Sequence, residues 1–265
     1  MSLSYKRVLY NLQGAMLRIE LIGVEGIPDV KEGDDIAKII VQKLSEMGVS
    51  LENGDIIVVT QKIVSKAEGR IVNLGAVEPS QFAVEIARRY EKDARVIELA
   101  LRESKRIVRM DKRVLITETK HGFVCANSGV DLSNVGGGEL ASLLPEDPDA
   151  SADRIRRRIR EITGVDVGVV ITDTWGRPWR RGQVNFAIGI SGVKALLDYR
   201  GSLDMYGREL RATVIAVADE IAAAAELVMG KSRRVPVALV RGCKHLIGEG
   251  RGRELVRPEE EDLFR

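Results

Sequence analysis

The sequence predicts an α+β fold, mixed sheets with helices, on three observations. Residues 56–59 and 167–171 are continuous apolar, largely β-branched runs, the mark of strands buried on both faces. Residues 34–47 instead repeat apolar positions at helical spacing, with Ile36, Ile39, Ile40 and Leu44 on one face. The order of strands and helices also lacks the steady β-α-β alternation of a doubly wound sheet.

The opening MSLSYKRVLYNLQGA has no apolar central region and does not read as a signal peptide. Lying ahead of Met16, residues 1–15 are expected to be a leader, with residues 16–265 forming the folded unit. Residues 17–22 alternate as a strand, and 23–33 form a loop containing Gly and Pro. Asp34 is expected to cap the helix that follows. Gly54 and Asp55 turn into the strand 56–59, and Pro79-Ser80 opens a helix to about Tyr90. A short strand at 114–117 precedes a loop of small, turn-forming residues at 126–138. Ser151, with Asp153 behind it, starts a helix through Ile162, and Gly164-Val165-Asp166 leads into the strand 167–171. Residues 213–217 extend into an Ala-rich helix, 218–229, and residues 235–240 form the last strand.

Composition narrows the function. Hydrophobic residues make up 45% and charged residues 30%, enough for both a core and a solvated surface. Lys plus Arg is 41 against 39 Asp plus Glu, so nothing suggests a general nucleic-acid or membrane binder. A small anionic substrate held by a few local cations remains compatible with that balance. Aromatics are only 4%, too few for base-stacking platforms. Two cysteines, Cys125 and Cys243, cannot build a disulfide framework, and a cytoplasmic location is expected. No apolar run reaches the roughly 18 residues of a membrane span.

The densest chemistry lies at 169–181. An apolar strand ends in Thr172-Asp173-Thr174, and a loop from Trp175 to Arg181 with two Trp and three Arg is expected after it. A carboxylate at a strand's end points into the crevice where α/β ligands collect. Hard oxygens on Asp173 and Thr174 suit Mg²⁺ or Mn²⁺, and Arg177 and Arg180 suit phosphate or carboxylate. A purely structural alternative is a loop tied down by Arg–carboxylate pairs. Asp131 and Asn134, three apart behind a Gly-containing approach, could meet a ligand or merely form an Asx turn. Lys62 and Lys66, four apart after a buried strand, offer point charges to phosphate or make an ordinary solvated face.

Other signals are weaker. Gly230-Lys231-Ser232 completes only the end of a Walker A loop, because Ala225 stands where a glycine is required. His121-x₃-Cys125 and Cys243-x-His245 are too irregular for a zinc site. The five arginines between 154 and 160 spread around one predicted helix and read as solvated surface.

Several segments, in order, resemble the coenzyme F420-0:L-glutamate ligase family, whose members add glutamates to a deazaflavin hydride carrier. They are VEGIP (24–28), IVSKAEGR (63–70), HGFVCANSGVD (121–131), LPEDPDAS (144–151), TDTWGRPWR (172–180) and DYRG (198–201). The resemblance spans residues 16–241, so it implies a γ-glutamyl ligase unit over residues 16–265. It implies GTP as phosphoryl donor, two divalent metals (Mg²⁺ or Mn²⁺) and K⁺. It also implies a homodimer sharing an unusual fold of two intertwined lobes. Asp131, Asp173 and Thr174 fall on the family's metal positions. Gly26, Ile27, Pro28, Asp29, Gln61, Lys62, Lys66 and Asn134 fall on or near its nucleotide positions. Gln61 departs from the small hydroxyl residue associated with that place. In the helix at 218–231, Glu220, Glu226 and Lys231 are further candidates.

The implied partners are GTP, L-glutamate and the coenzyme F420 precursor, with neither nucleic acid nor membrane. The implied chemistry phosphorylates a carboxylate to an acyl phosphate, which the glutamate amine then attacks. That scheme assigns catalytic work to Asp131, Asp173, Arg177 and Arg180, the arginines binding the anionic end of the acceptor, and needs no His or Cys nucleophile. Two other readings stay open. One is a different nucleotide-dependent carboxylate–amine ligase, such as an ATP-grasp-like enzyme, and the other a non-catalytic nucleotide- or metal-binding regulator.

Overall fold

The structure is a computed structural model describing residues 18–111, 114–137 and 139–263; the expected leader lies outside these described residues. The first half runs β1 (Glu20–Gly23), α1 (Ile36–Glu46), β2 (Ile56–Thr60), α2 (Gln61–Ala67), β3 (Ile71–Asn73), α3 (Gln81–Tyr90) and α4 (Ala94–Arg102). A meander and one short strand follow: β4 (Ser104–Met110), β5 (Leu115–Thr119), β6 (Val124–Ala126) and β7 (Leu140–Ser142). The second half holds α5 (Pro148–Thr163), β8 (Gly168–Arg177), β9 (Arg180–Ser191), β10 (Leu197–Asp198), β11 (Val214–Ile215), α6 (Val217–Met229) and β12 (Val237–Arg241). The mixed α+β character predicted above is what forms.

The main sheet has the order β1-β12-β2-β8-β9, and only β2 and β8 run parallel. Their apolar sequences follow from that position. Ile56 through Val59 and Val169 through Ile171 are sealed from solvent on both faces. On one face, Ile57, Val59, Val169, Ile171 and Leu239 pack against Ile36, Ile40 and Leu44 of α1 and Ile155 and Ile159 of α5. On the other, Ile56, Val58, Val170, Ile190 and Ala238 pack against Val217, Ile221, Ala222, Ala225 and Met229 of α6. The small side chains of α6 let it lie close to the sheet. A separate core of Leu74, Ala83, Ile86, Ile97, Leu99, Leu115 and Leu143 holds α3 and α4 to the β4-β5-β6 meander. Among the described residues no helix is long and apolar enough to cross a membrane.

Several expected boundaries move, each for a local reason. The cap of α1 is Asp35, whose carboxylate accepts from the Lys38 N–H at 3.0 Å. Asp34 instead closes the preceding loop by accepting from the Lys31 N–H. α5 begins at Pro148 rather than Ser151, because Asp147 caps the Ala150 N–H and proline suits the first helical position. Ser151 sits inside that helix, its hydroxyl bonded to Glu68. The close seating of α5 depends on Gly189 in β9, where an added Cβ would lie 2.3 Å from the Pro148 carbonyl oxygen.

The largest correction concerns Trp175 to Arg181. This stretch is not a loop but the end of a long hairpin: β8 continues to Arg177 and β9 starts at Arg180. Gly176 and Pro178 suggested a loop, yet proline only marks the corner of a two-residue turn, and the apolar sequence of β9 supplies the pairing partner. Trp179 completes that turn in the left-handed region (φ 64°), an uncommon conformation for a bulky side chain.

Candidate active site

β2 ends at Thr60, in register with Thr172, while β8 runs on to Arg177, and the groups singled out from sequence gather around the carboxyl end of β2 and the adjoining stretch of β8. β2 passes directly into α2, so Lys62 and Lys66 stand one helical turn apart on one face. Each lysine reaches a different loop. Lys66 Nζ donates to Asp29 Oδ1 at 2.6 Å and ties the loop of Gly26, Ile27 and Pro28 to the helix. Lys62 Nζ donates to Asp131 Oδ2 at 2.7 Å, to the Ser133 carbonyl at 2.6 Å and to the Ser133 hydroxyl at 3.0 Å. Gly26, Pro28 and Asp29 are exposed and Ile27 is half-buried, so this loop presents backbone to solvent beside Lys66. Gln61 is buried, with its Nε2 lacking any partner among the described residues and its Oε1 accepting from Ser65.

The Asp131 loop is aimed by an unusual turn. Asn127, Ser128 and Gly129 all have positive φ (51°, 52° and 73°), a short left-handed run after β6. Ser128 holds it in place: its N–H donates to the Thr117 hydroxyl and its own hydroxyl donates to the Ala100 carbonyl. Asp131 then pairs through its backbone with Ser142. Its side chain accepts from the Ser133 N–H at 2.7 Å, an Asx-type contact, while also receiving Lys62. Burial acts to raise the Asp131 carboxyl, but Lys62 and the Ser133 N–H outweigh it and hold the group below the usual carboxylate range. Asn134, left-handed and exposed, lies at the rim of the same loop.

Asp173 faces the same side. Burial pushes its carboxyl up to about 6; the Thr174 N–H opposes this, the charge of Asp131 adds to it, and Lys62 and Lys231 pull it down. Among the described residues no side-chain donor reaches Asp173. Neighbouring Cys125 is buried, and burial, with Asp173 adding to it, drives its thiol up to about 12. Two acidic groups held near one another, one of them lacking a side-chain donor, make a site where a hard divalent cation fits. No cluster of three or more His, Cys, Asp or Glu exists among the described residues, so water, backbone or substrate oxygens would complete any coordination shell.

Thr174 stands on the opposite face of β8 from Asp173. Successive strand residues point to opposite faces, and Thr174 faces α6. Its hydroxyl donates to Asn185 Oδ1 of β9 and accepts from Lys231 Nζ, while Asn185 Nδ2 donates to Glu226 Oε2 at 3.1 Å. Lys231 and Glu226 are thus joined to the strand end, whereas Glu220 is exposed. Asn185 escaped the sequence reading, although an amide directly before the apolar run from Phe186 to Ile190 was a usable signal. Asp219 also escaped it. Its carboxylate accepts from the Ala187 N–H, and burial raises its carboxyl.

At the hairpin the predicted residues separate. Trp175 stacks on Phe186 (4.8 Å between centroids, 12° between planes) and meets Phe123 at 6.1 Å. Trp179 does not pack under a loop; it is 85% exposed at the turn. Arg177 is half-buried with its Nε enclosed and unpartnered, while Arg180 is exposed.

Two carboxylates and two lysines gathered beside the carboxyl end of β2 are residue types common in enzyme sites. Residues 26–242 match the family described as F420-0:Gamma-glutamyl ligase. The chain belongs to that family. It is 50% identical over 250 residues to the coenzyme F420:L-glutamate ligase of Methanothermobacter thermautotrophicus, covering 93% of this chain and 99% of that protein. The proteins of the same name from Archaeoglobus fulgidus and Methanocaldococcus jannaschii are 50% and 46% identical, each match covering 94% of this chain and 97% of the relative.

Proposed function

We propose that this chain joins L-glutamate to the terminal carboxylate of the coenzyme F420 precursor, with GTP as phosphoryl donor. The observation that carries the reading is the gathering of Lys62, Asp131 and Asp173 beside the carboxyl end of β2, in a chain of this family. Carboxylate oxygen is a poor leaving group, so the amide requires activation. Transfer of the γ-phosphoryl group to the carboxylate yields GDP and an acyl phosphate. Attack by the glutamate amine on the acyl carbon then forms the amide, expels phosphate and releases a proton.

Within this scheme Lys66, Lys62 and the backbone of Gly26, Ile27, Pro28 and Asp29 hold the phosphates, with Gln61 and Asn134 beside them. Asp131, Asp173 and Thr174 hold the two implied divalent ions, Mg²⁺ or Mn²⁺. Such an ion neutralises charge on phosphate oxygens. K⁺ is a further implied requirement. Arg177 and Arg180 orient the acceptor's anionic end, supported by the enclosed, unpartnered Nε of Arg177.

A homodimer in the cytoplasm, with intertwined lobes, completes the reading. It is supported by Leu203, Met205 and Tyr206, which are 65%, 86% and 79% exposed on the excursion between β10 and β11. A stable, active monomer in sedimentation at micromolar concentration would exclude the dimer. The activity itself is tested by mass spectrometry of the coenzyme precursor incubated with enzyme, GTP, Mn²⁺ and glutamate. The expected product is heavier by one or more glutamyl residues, and unchanged precursor would refute the assignment.

A further inference from the structure

The face of β8 that carries Asp173 also carries aromatic rings. Residues two apart share a face of a strand, so Asp173 and Trp175 stand on the same side of β8. Phe186 of β9 lies opposite Asp173 in the register. Trp175 stacks on Phe186 at 4.8 Å between centroids and 12° between planes, so the stacked pair flanks the carboxylate. The segment at β6 adds Phe123, whose ring is 6.1 Å from that of Trp175, and the buried neighbour of Asp173, Cys125. On the opposite face Thr174 meets polar groups instead, Asn185 and Lys231. Apolar and polar neighbours are thus sorted across one strand.

Recognition of phosphate or carboxylate gives no reason for that sorting, since donors and cations hold anions. Trp175 and Phe186 nevertheless remain half-exposed beside this carboxylate. Apolar surface in such a place displaces water, and an acyl phosphate is a species for which that matters. Water attacking its acyl carbon breaks the C–O bond to phosphate. The free carboxylate returns, phosphate and a proton leave, and one GTP is wasted.

We propose that the Trp175–Phe186 stack is a water-excluding screen beside Asp173, which keeps the acyl phosphate for the glutamate amine. Amine attack forms the C–N bond, breaks the same C–O bond and releases phosphate and a proton. A screened site therefore yields one phosphate for each glutamyl residue added. Neither ring has to touch a reacting atom; both act by filling space that water would otherwise enter.

The inference rests on the acyl-phosphate route proposed above, and the test tells the two apart. The full chain is given GTP, Mn²⁺, glutamate and the coenzyme precursor, with phosphate read colorimetrically and glutamylated product by mass spectrometry. A phosphate-to-product ratio close to one is expected for the wild type and for Trp175→Phe, which keeps a ring. Trp175→Ala is expected to raise the ratio about threefold or more, and the excess to vanish when the precursor is left out. Trp175→Gln, which keeps more of the bulk, is expected to do the same and carries the test should melts show that the alanine variant does not fold. A merely structural role for Trp175 would lower phosphate and product together. A ratio that stays at one would therefore overturn the proposal, as would excess phosphate that persists without precursor. Hydroxylamine in place of glutamate traps an acyl phosphate as the hydroxamate of the precursor. No hydroxamate from the wild type would overturn the route itself, and the screen with it.

Discussion

The two faces of β8 at Asp173 and Thr174 are built by different means. The Asp173 side is assembled from segments far apart in sequence: the loop at 26–29, α2, and the loop after β6. These are joined by the Lys66–Asp29 and Lys62–Asp131 ion pairs and aimed by a left-handed turn. The Thr174 side uses two adjacent strands and one helix, joined through the buried amide of Asn185. Ion pairs near solvent are individually weak and can exchange partners, whereas a buried amide bridge holds one geometry. The first side can therefore exchange its ion-pair partners, while the second holds one geometry.

Replacing Asp173 tests this division most severely. Asp173→Asn is expected to lower turnover by about a hundredfold or more while leaving the melting temperature unchanged or higher, since a half-buried carboxylate without a side-chain donor is removed. Near wild-type turnover at saturating metal would remove Asp173 from the chemistry.

A pH series sharpens the same point. The folded-state carboxyl of Asp173 lies at about 6, above its unfolded value, so protonated Asp173 favours the native state. That contribution is fully present below about pH 4 and is lost as pH rises through about 6, amounting to no more than about 3 kcal/mol. Metal-free wild type is thus expected to lose stability over this interval relative to Asp173→Asn, and added Mn²⁺ to restore it above pH 6. Parallel stability curves for the two proteins would contradict this.

On the rigid side, Asn185→Ala strips Thr174 and Glu226 of their shared partner. A cost of about 1–3 kcal/mol in chemical denaturation is expected. A larger effect on nucleotide affinity than on stability would show that this side is not a passive wall.

Smaller effects distinguish the arginines. Arg177→Ala is expected to weaken precursor binding about tenfold, and Arg180→Ala less, because only Arg177 has an enclosed, unpartnered nitrogen. Fluorescence of the deazaflavin measures this, and calorimetry with GTP provides the control. Equal losses for both ligands would indicate a collapsed hairpin. The smallest change is expected for Lys66→Ala. Its partner Asp29 is exposed, so the apparent KM for GTP rises only severalfold.

The sequence revealed the buried strands well, because residues 56–59 and 169–171 leave no polar face to misread. It also pointed to Asp131, Asp173, Lys62 and Lys66. It did not show that Lys62 and Asp131 touch, since 69 residues separate them and only the fold joins them. Nor did it reveal the hairpin: Gly176 and Pro178 are local breakers, and the pairing that overrides them comes from β9. Nor did it show how Asp173 and Thr174 point relative to one another. In a strand, adjacency is what places them on opposite faces.

The position of β12 has a consequence for how the chain is made. This strand, near the end of the sequence, lies between β1 and β2, two of the earliest to leave the ribosome. Until residues 237–241 emerge, β1 has no neighbour in its sheet and β2 exposes an edge of apolar backbone. The nascent protein must therefore hold that part of its main core open until β12 is made, an interval in which an unpaired strand edge invites aggregation. The α3–α4 unit with its meander, whose contacts lie between residues 72 and 143, has no such wait and is able to compact first.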